Sequence, residues 1–263
     1  AALQAGCHVL CEKPIAMTLQ EGQEMVAAAR KAGKTLQVGL NSRFSPEALT
    51  VKRFVDAGEF GQIYYGEAVY LRRRGIPNWG VFTRKEMQGG GALIDIGVHV
   101  LDRTLWLMGN PKPVAVMGAT YAHFGKRTDL ATPGGMWDAE RFDVDDMGVA
   151  MVRFDTGATL ILKASWDGHI EDSYSEVRVL GTHGGAVMSP LRIYKDMQGT
   201  MVNITPSGLP KVQTHTEEIK HFIAVVRGEA ECMVKPEQVL DVQAILDAIY
   251  QSAETGREVR LNG

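Results

Sequence analysis

The sequence has no run approaching the ~18 consecutive apolar residues of a membrane-crossing helix. Its first residues, AALQAGCHVLCEKP, lack the basic start and long apolar stretch of a secretion signal. The location expected by default is the cytoplasm. Cysteine is scarce: Cys7, Cys11 and Cys232 are too few and too scattered for a disulfide framework. The C-x-x-x-C spacing of the first two lacks the second pair a zinc site needs. All three read as buried thiols in a reducing compartment. An excess of one charge is missing too, since 28 Lys and Arg against 31 Asp and Glu leave a formal net charge of −3. Neither a nucleic acid nor a membrane surface is therefore an expected partner. Short basic clusters such as Arg72-Arg73-Arg74 read first as solvated loop. An initiator Met is also lacking. Ala1 to Ala5 reads as the last turn of a helix closed by Gly6, so the expectation is a chain truncated at its N-terminus.

What is present is an ordinary globular composition, 45% hydrophobic and 22% charged over 263 residues, with ample chain to bury a core. His8 to Cys11 reads as a short buried strand. Thr18 with Glu21 three residues later is a capping box opening a helix to about Ala32, closed by Gly33. Lys34 to Gly39 is the next strand, and Pro46 starts a helix closed at Gly58. This strand–helix alternation predicts parallel strands with crossover helices, like the back half of a doubly wound nucleotide-binding domain. After Gln62 the character changes. Strands are expected over 62–71, 114–121, 146–154, 158–166 and 175–180, with a tight Asp155-Thr156-Gly157 turn and a further turn over Gly181 to Gly185. Two more short strands fit between Arg192 and Ile204. The stretch GGGALIDIGVHVLDRTLWLMG is a helix entered through glycines, and helices return at 217–227 and 237–255. The expected fold is thus α/β plus α+β. A partial Rossmann-like remnant over 1–60 precedes a domain over 61–263 with a large, mostly antiparallel open sheet, and the last helix is able to pack back on the first part.

Two constellations carry chemistry. Glu12-Lys13-Pro14 follows a predicted parallel strand, and ligands of open α/β sheets gather at the carboxyl ends of strands. A Lys there donates hydrogen bonds or titrates when partly desolvated; a surface turn with a solvated Lys is the plainer alternative. Pro14 fixes the backbone at a position that tolerates the cis form. Asp95 and His99, four apart on a helix and surrounded by Leu93, Ile94, Ile96, Val98 and Val100, share one face. Such a pair suits proton transfer, and a satisfied core contact between helices explains it equally. Gly89, Gly90 and Gly91 let a ligand or another backbone approach the helix start.

Taken together, CEKPIAMT, VGLNSRFSP, GGGALIDIGVHVLD, GTHGGAV and the C-terminal EEIKHFIAVVRGEAE and SAETGREVRL resemble, in order and over essentially the whole chain, the glucose–fructose oxidoreductase and inositol dehydrogenase family. The resemblance implies hydride transfer between NAD or NADP and a hydroxyl-bearing carbon of a sugar, inositol or related polyol. It implies that Lys13 binds the reacting hydroxyl and helps position the cofactor. Asp95 is then a substrate ligand and proton-relay partner, and His99 the general base. Glu12 and Pro14 shape the wall near the nicotinamide, and Asn41 and Arg43 lie near nicotinamide or substrate. A homodimer or homotetramer through the open sheet is also implied.

No G-x-G-x-x-G turn, the element that seats a dinucleotide pyrophosphate, occurs in the 263 residues. Hence NAD and NADP are not distinguished, and a cofactor-deficient, oligomerising or binding protein stands as the second reading. Weaker candidates are Arg72, Arg73, Trp79 and the loop to Gln88 as the lining of a sugar pocket, with Trp79 stacking on a sugar or simply packed in its loop, and His169 after a predicted strand. The irregular stretch from Phe124 to Asp143, with Met136, Trp137 and Arg141, has the length of a lid or subunit contact. His215 and His221 read as surface or packing residues.

Overall fold

The computed structural model describes residues 1–261. β1 (Val9–Glu12), α1 (Leu19–Ala32) and β2 (Leu36–Gly39) form the first crossover. Both halves of the Thr18–Glu21 capping box are made. Gly33, at φ 61°, ends α1 with its N–H on the Ala29 and Arg30 carbonyls. The two strands pair in parallel, Val9 beside Leu36 and Glu12 beside Gly39, so their carboxyl ends lie side by side. A single tight turn, Asn41–Phe44, leads into α2 (Pro46–Asp56), which is capped by Ser45 and starts on Pro46.

Nine strands build the large sheet: β3 (Ile63–Leu71), β4 (Pro113–Tyr121), β5 (Met147–Phe154), β6 (Thr159–Ser165), β7 (Tyr174–Gly181), β8 (Gly184–Met188), β9 (Leu191–Met197), β10 (Thr200–Ile204) and β11 (Val259–Arg260). Their order is β10-β9-β8-β7-β3-β6-β5-β4-β11. Every neighbouring pair is antiparallel except β3 with β6. The expected class, a Rossmann-like part followed by a mostly antiparallel open sheet, is what the chain adopts. The turn expected over Gly181 to Gly185 is shorter than its glycines suggest. It is Thr182-His183 alone, and Gly184 already pairs with Lys195.

The short helix α3 (Lys85–Gln88) buries none of its residues; one face of the sheet is covered by a wide helical turn Leu93–Gly97 that continues into α4 (Val98–Leu107), and by α6 (Pro236–Thr255) on β4. The helices sit close because the sheet offers small residues beneath them. A Cβ on Gly148 of β5 would lie 2.4 Å from the Leu93 side chain. Leu93, Leu101, Leu160, Leu162, Ile245 and Ile249 are fully buried in this layer. α5 (Thr214–Val226) starts three residues before the expected Glu217 and lies against the Asn41–Phe44 turn. α6 also reaches back to α1, where Asp247 accepts the Leu19 N–H at 2.8 Å and Glu237 pairs with Arg30. The other sheet face is open. It exposes Met117, Tyr121, Met151, Tyr174 and Tyr194, and Glu67 bridges Lys163 and Arg178 across it at 3.2 and 3.5 Å. Among the described residues no helix is long and apolar enough to cross a membrane.

Candidate active site

Lys13 stands just past the carboxyl end of β1, followed by a cis peptide bond to Pro14. Its ammonium donates to the Asp95 carbonyl at 2.7 Å and to Asp95 Oδ1 at 2.8 Å. Asp95 Oδ2 accepts from Trp166 Nε1 at 2.9 Å. The Lys13–Asp95 pair is largely buried, and both carboxylate oxygens are occupied. A lysine has three N–H donors; two are used here, so one remains for a ligand.

The helix bearing Asp95 is anchored by Asp145. Asp145 Oδ1 accepts from Gly91 N at 2.7 Å and Oδ2 from Leu93 N at 3.0 Å, capping the helix start from a distant strand end. Tyr250 Oη adds a third bond to the same carboxylate. The glycines are there for this contact. A Cβ on Gly91 would lie 1.8 Å from the Asp145 carbonyl oxygen, and one on Gly90 would lie 2.1 Å from Tyr250 Oη. Another backbone, rather than a ligand, makes the close approach.

Immediately after, the helix widens: the Val98 N–H bonds the Leu93 carbonyl, five residues back. Wide turns of this kind recur at functional sites. The widened stretch, Leu93–Gly97, lies within the span that joins Asp95 to His99. Asp95 points to Lys13 and Trp166 and makes no hydrogen bond to His99. Asp95 acts on His99 through its charge rather than through a direct hydrogen bond. The His99 imidazole makes no hydrogen bond among the described residues. Burial first, and then the Lys13 cation, hold its pKa down at about 4, with Asp95 opposing. His99 is neutral at physiological pH, and Lys13 is near enough to be felt.

Residues of this helix line two cavities. One, of about 480 Å³, is lined by Lys13, Asp95, Arg72, Arg74, Trp79 and Trp137 among others. The other, about 380 Å³, is lined by His99 with Asn41, Tyr70, Arg103, Ser175 and His215 among others. Lys13 and Asp95 thus share one cavity, and His99 opens on the second. Trp79 is mostly exposed at the rim of the first, edge-on to Phe82 with ring centroids 4.6 Å apart. Gly134 and Gly135, from the irregular stretch, close part of that cavity. His169 is exposed, edge-on to Phe124 and outside the cavity lining; Arg74 and Asp167, joined at 2.7 Å, take the place expected for it.

Around the strand ends, Glu12 is exposed and lies over Gly39. Asn41 donates to Thr214 Oγ1 at 3.1 Å and touches the His215 ring. Arg43 is a correction. It is completely buried, gives two bonds to Asp102 at 2.9 and 2.5 Å, and bonds Met233 O and Gln238 Oε1. With four of its five donors committed and no exposed surface, the guanidinium is out of reach of nicotinamide or substrate; it ties the turn after β2 to α4 and to the start of α6. His221 packs on Phe44 and accepts the Met233 N–H, as its packing role predicted. His215 is at the surface, as expected, and also lines the His99 cavity. Trp166, Asp145, Asp167, Tyr70 and Ser175 were not legible as site residues, because each comes from a strand or loop distant in sequence. Arg103 follows His99 by one turn of the same helix without a signal of its own, and Arg74 lies in the loop expected to line a sugar pocket.

The C-terminal domain model of the GFO/IDH/MocA family matches residues 48–187, more than half of the chain. The chain belongs to that family. The family's N-terminal model, described as an oxidoreductase family with an NAD-binding Rossmann fold, matches residues 1–40. The chain is 38% identical over 261 residues to D-glucoside 3-dehydrogenase of Escherichia coli (strain K12), covering 99% of this chain and 74% of that protein. It is 31% identical over 198 residues to levoglucosan dehydrogenase of Pseudarthrobacter phenanthrenivorans, covering 72% of this chain and 51% of the relative. Among solved structures, aldose-aldose oxidoreductase from Caulobacter crescentus, complexed with glycerol, superposes with a TM-score of 0.78 at 26% identity, over 99% of this chain and 74% of that one. A nicotinamide dinucleotide is accordingly the cofactor class of the family. The residues present fit its nicotinamide end, because Lys13 keeps an uncommitted donor where the parallel strands β1 and β2 end together.

Proposed function

We propose that this chain carries the chemical centre of a dehydrogenase that moves a hydride between NAD or NADP and a hydroxyl-bearing carbon of a sugar, inositol or related polyol. The observation that carries the reading is the Lys13 ammonium, fixed on Asp95 with one donor spare, near a neutral and unbonded His99. Removing hydride from an alcohol carbon requires removing the hydroxyl proton as well. The neutral His99 imidazole supplies a lone pair, engaged in no hydrogen bond, to take it. Lys13 stabilises the negative charge that grows on the oxygen. Asp95 positions Lys13 rather than His99, and Trp166 holds Asp95. Glu12, Lys13, Pro14 and Asn41 would hold the nicotinamide end, and the cofactor when bound supplies the hydride chemistry. Trp79, at the rim of the larger cavity, offers an apolar face to a sugar ring.

In this reading residues 1–60 belong to the dinucleotide-binding part and 61–263 to the substrate and assembly part. The open sheet face, with Met117, Tyr121, Met151, Tyr174 and Tyr194 exposed, supports assembly of a homodimer or homotetramer. Three unpaired thiols support a reducing, cytoplasmic setting. The test is cofactor reduction followed at ~340 nm, the nicotinamide absorbance, over a panel of sugars and polyols. Lys13→Ala and His99→Ala should each lower kcat/KM by about 10²–10⁴-fold, the range of a lost acid–base or electrostatic group. Undiminished turnover in both variants would end this assignment.

A further inference from the structure

The cavity beside His99 has an unusual charge balance. Arg103 of α4 lines it, yet makes no side-chain hydrogen bond and no ion pair among the described residues, and its Nε is buried without an acceptor. No carboxylate among the described residues pairs with it: Glu47 of α2 acts on it only through its charge and makes no ion pair with it. Asp102 is held by both arms of Arg43, and Asp95 by Lys13 and Trp166. Arginine does not discharge by losing its proton, and a desolvated donor without an acceptor is costly. The other walls carry no carboxylate, and the Tyr70 and Ser175 hydroxyls and the His215 ring add polar groups there, while the Asn41 amide and Ser42 hydroxyl are already bonded to Thr214 and to the His99 carbonyl. α5 opens at Thr214, and its preceding residue Gln213 makes no side-chain cap, so the positive end of a thirteen-residue helix lies at the same wall. Every charge acting on His99 except Asp95 is of one sign: Lys13, Arg103 and His215 all disfavour its protonation.

We infer that this cavity is an oxyanion subsite in which Arg103 pairs with a carboxylate or phosphate group carried by the substrate. The substrate of the proposed dehydrogenase is then an acidic sugar derivative, a uronate or aldonate in one case and a sugar phosphate in the other. The inference rests on the dehydrogenase reading for the word substrate, and on Arg103 alone for the anion. With Nε buried, the guanidinium presents its two terminal nitrogens. That end-on fork suits two oxygens of one group.

Calorimetric titration of the full 263-residue chain with inorganic phosphate, glucuronate, glucose 6-phosphate and glucose tests it. One or both acidic sugars should bind about 10- to 100-fold more tightly than glucose, the worth of a hydrogen bond to a charged group. Which acid is preferred separates the carboxylate from the phosphate source. Arg103→Gln should remove the preference. Arg103→Lys keeps the charge without the fork and should retain part of it. In the wild type, saturating phosphate should raise the pKa of the His99 ring, followed by NMR, and Arg103→Gln should abolish that rise. This readout does not move for a merely structural arginine. Glucose binding as tightly as glucuronate and glucose 6-phosphate, a preference surviving in Arg103→Gln, or an unmoved His99 ring would overturn the inference. So would displacement of phosphate by NAD in the absence of sugar, which would give the cavity to the cofactor. Dehydrogenase activity on neutral polyols without anion binding sinks this inference alone. Anion binding without any dehydrogenase activity sinks the proposed function and leaves the oxyanion site standing.

Discussion

Arg43 and His99 show how one side chain's surroundings override its type. Both stand in segments where a ligand contact is expected, and only His99 retains an unbonded polar atom at a cavity. Arg43 and Asp102 are a fully buried pair. Removing one member strands the other's charge in the core, at a cost of about 3–5 kcal/mol. Arg43→Met should therefore lower the unfolding free energy by about that much in urea titration, and a loss under about 1 kcal/mol would mean the pair is not a structural clamp. His99 gives a pH signature. Its folded pKa, about 4, lies below the ordinary 6.5, so below pH 6.5 the unfolded chain takes up a proton that the folded chain refuses. Stability from this group is complete above pH 6.5, falls as the pH drops towards 4, and falls no further beyond. The whole effect reaches about 3 kcal/mol. Glu218 runs the other way. Burial, and then the Glu12 carboxylate, push its pKa up to about 7 from 4.5, so its contribution is complete below pH 4.5 and is lost as the pH rises through 7. Denaturation of wild type and His99→Gln across pH 4–7 separates the two: the variant should lack the acid-side loss and keep the Glu218 slope.

Among the elements, the wide turn at Leu93–Gly97 decides what the motif becomes. The capping box of α1, the Pro46 start of α2 and the Gly256 end of α6 all form where their sequence signatures stand, because each is closed by bonds between residues three to five apart. The spacing of Asp95 and His99 was legible in the same way, and its geometry was not. The offset between them depends on how the helix seats on β5 and β6 and on the Asp145 carboxylate 54 positions after Gly91. Gly91→Ala puts a methyl group into the Asp145 carbonyl oxygen. The backbone on both sides has no room to yield, so the loss should be at or above the upper end of the about 1–3 kcal/mol typical of overpacking. Thermal unfolding checks this, and an unchanged midpoint would mean the helix start is looser than the Asp145 bonds imply.

At the level of assembly, the sheet has one face buried under helices and one bearing apolar side chains around the Lys163–Glu67–Arg178 bridge. If copies meet through that face, Met151→Lys should shift the sedimentation coefficient towards the monomer, while the unfolding free energy of the monomer changes by no more than about 0.5 kcal/mol, as for other exposed positions. A monomeric wild type would leave the face to another role. The same architecture explains why the lining of the two cavities was hidden in the sequence. Tyr70 is on β3, Ser175 on β7, Arg103 on α4 and His215 on α5, and the topology that gathers them involves strands pairing out of chain order.

Short-range chemistry, then, was readable from the order of amino acids: the caps and turns, the alternation that makes an open sheet, and the motifs that mark Lys13, Asp95 and His99. These depend on neighbours within a few residues, where the chain has few alternatives. Packing assigned the partners. It gave Asp95 to Lys13 and Trp166, Arg43 to Asp102 and the triple glycine to Asp145, and it left Arg103 with none among the described residues. Those outcomes depend on which polar groups lose water together when distant segments meet, and that competition is settled only when the core closes.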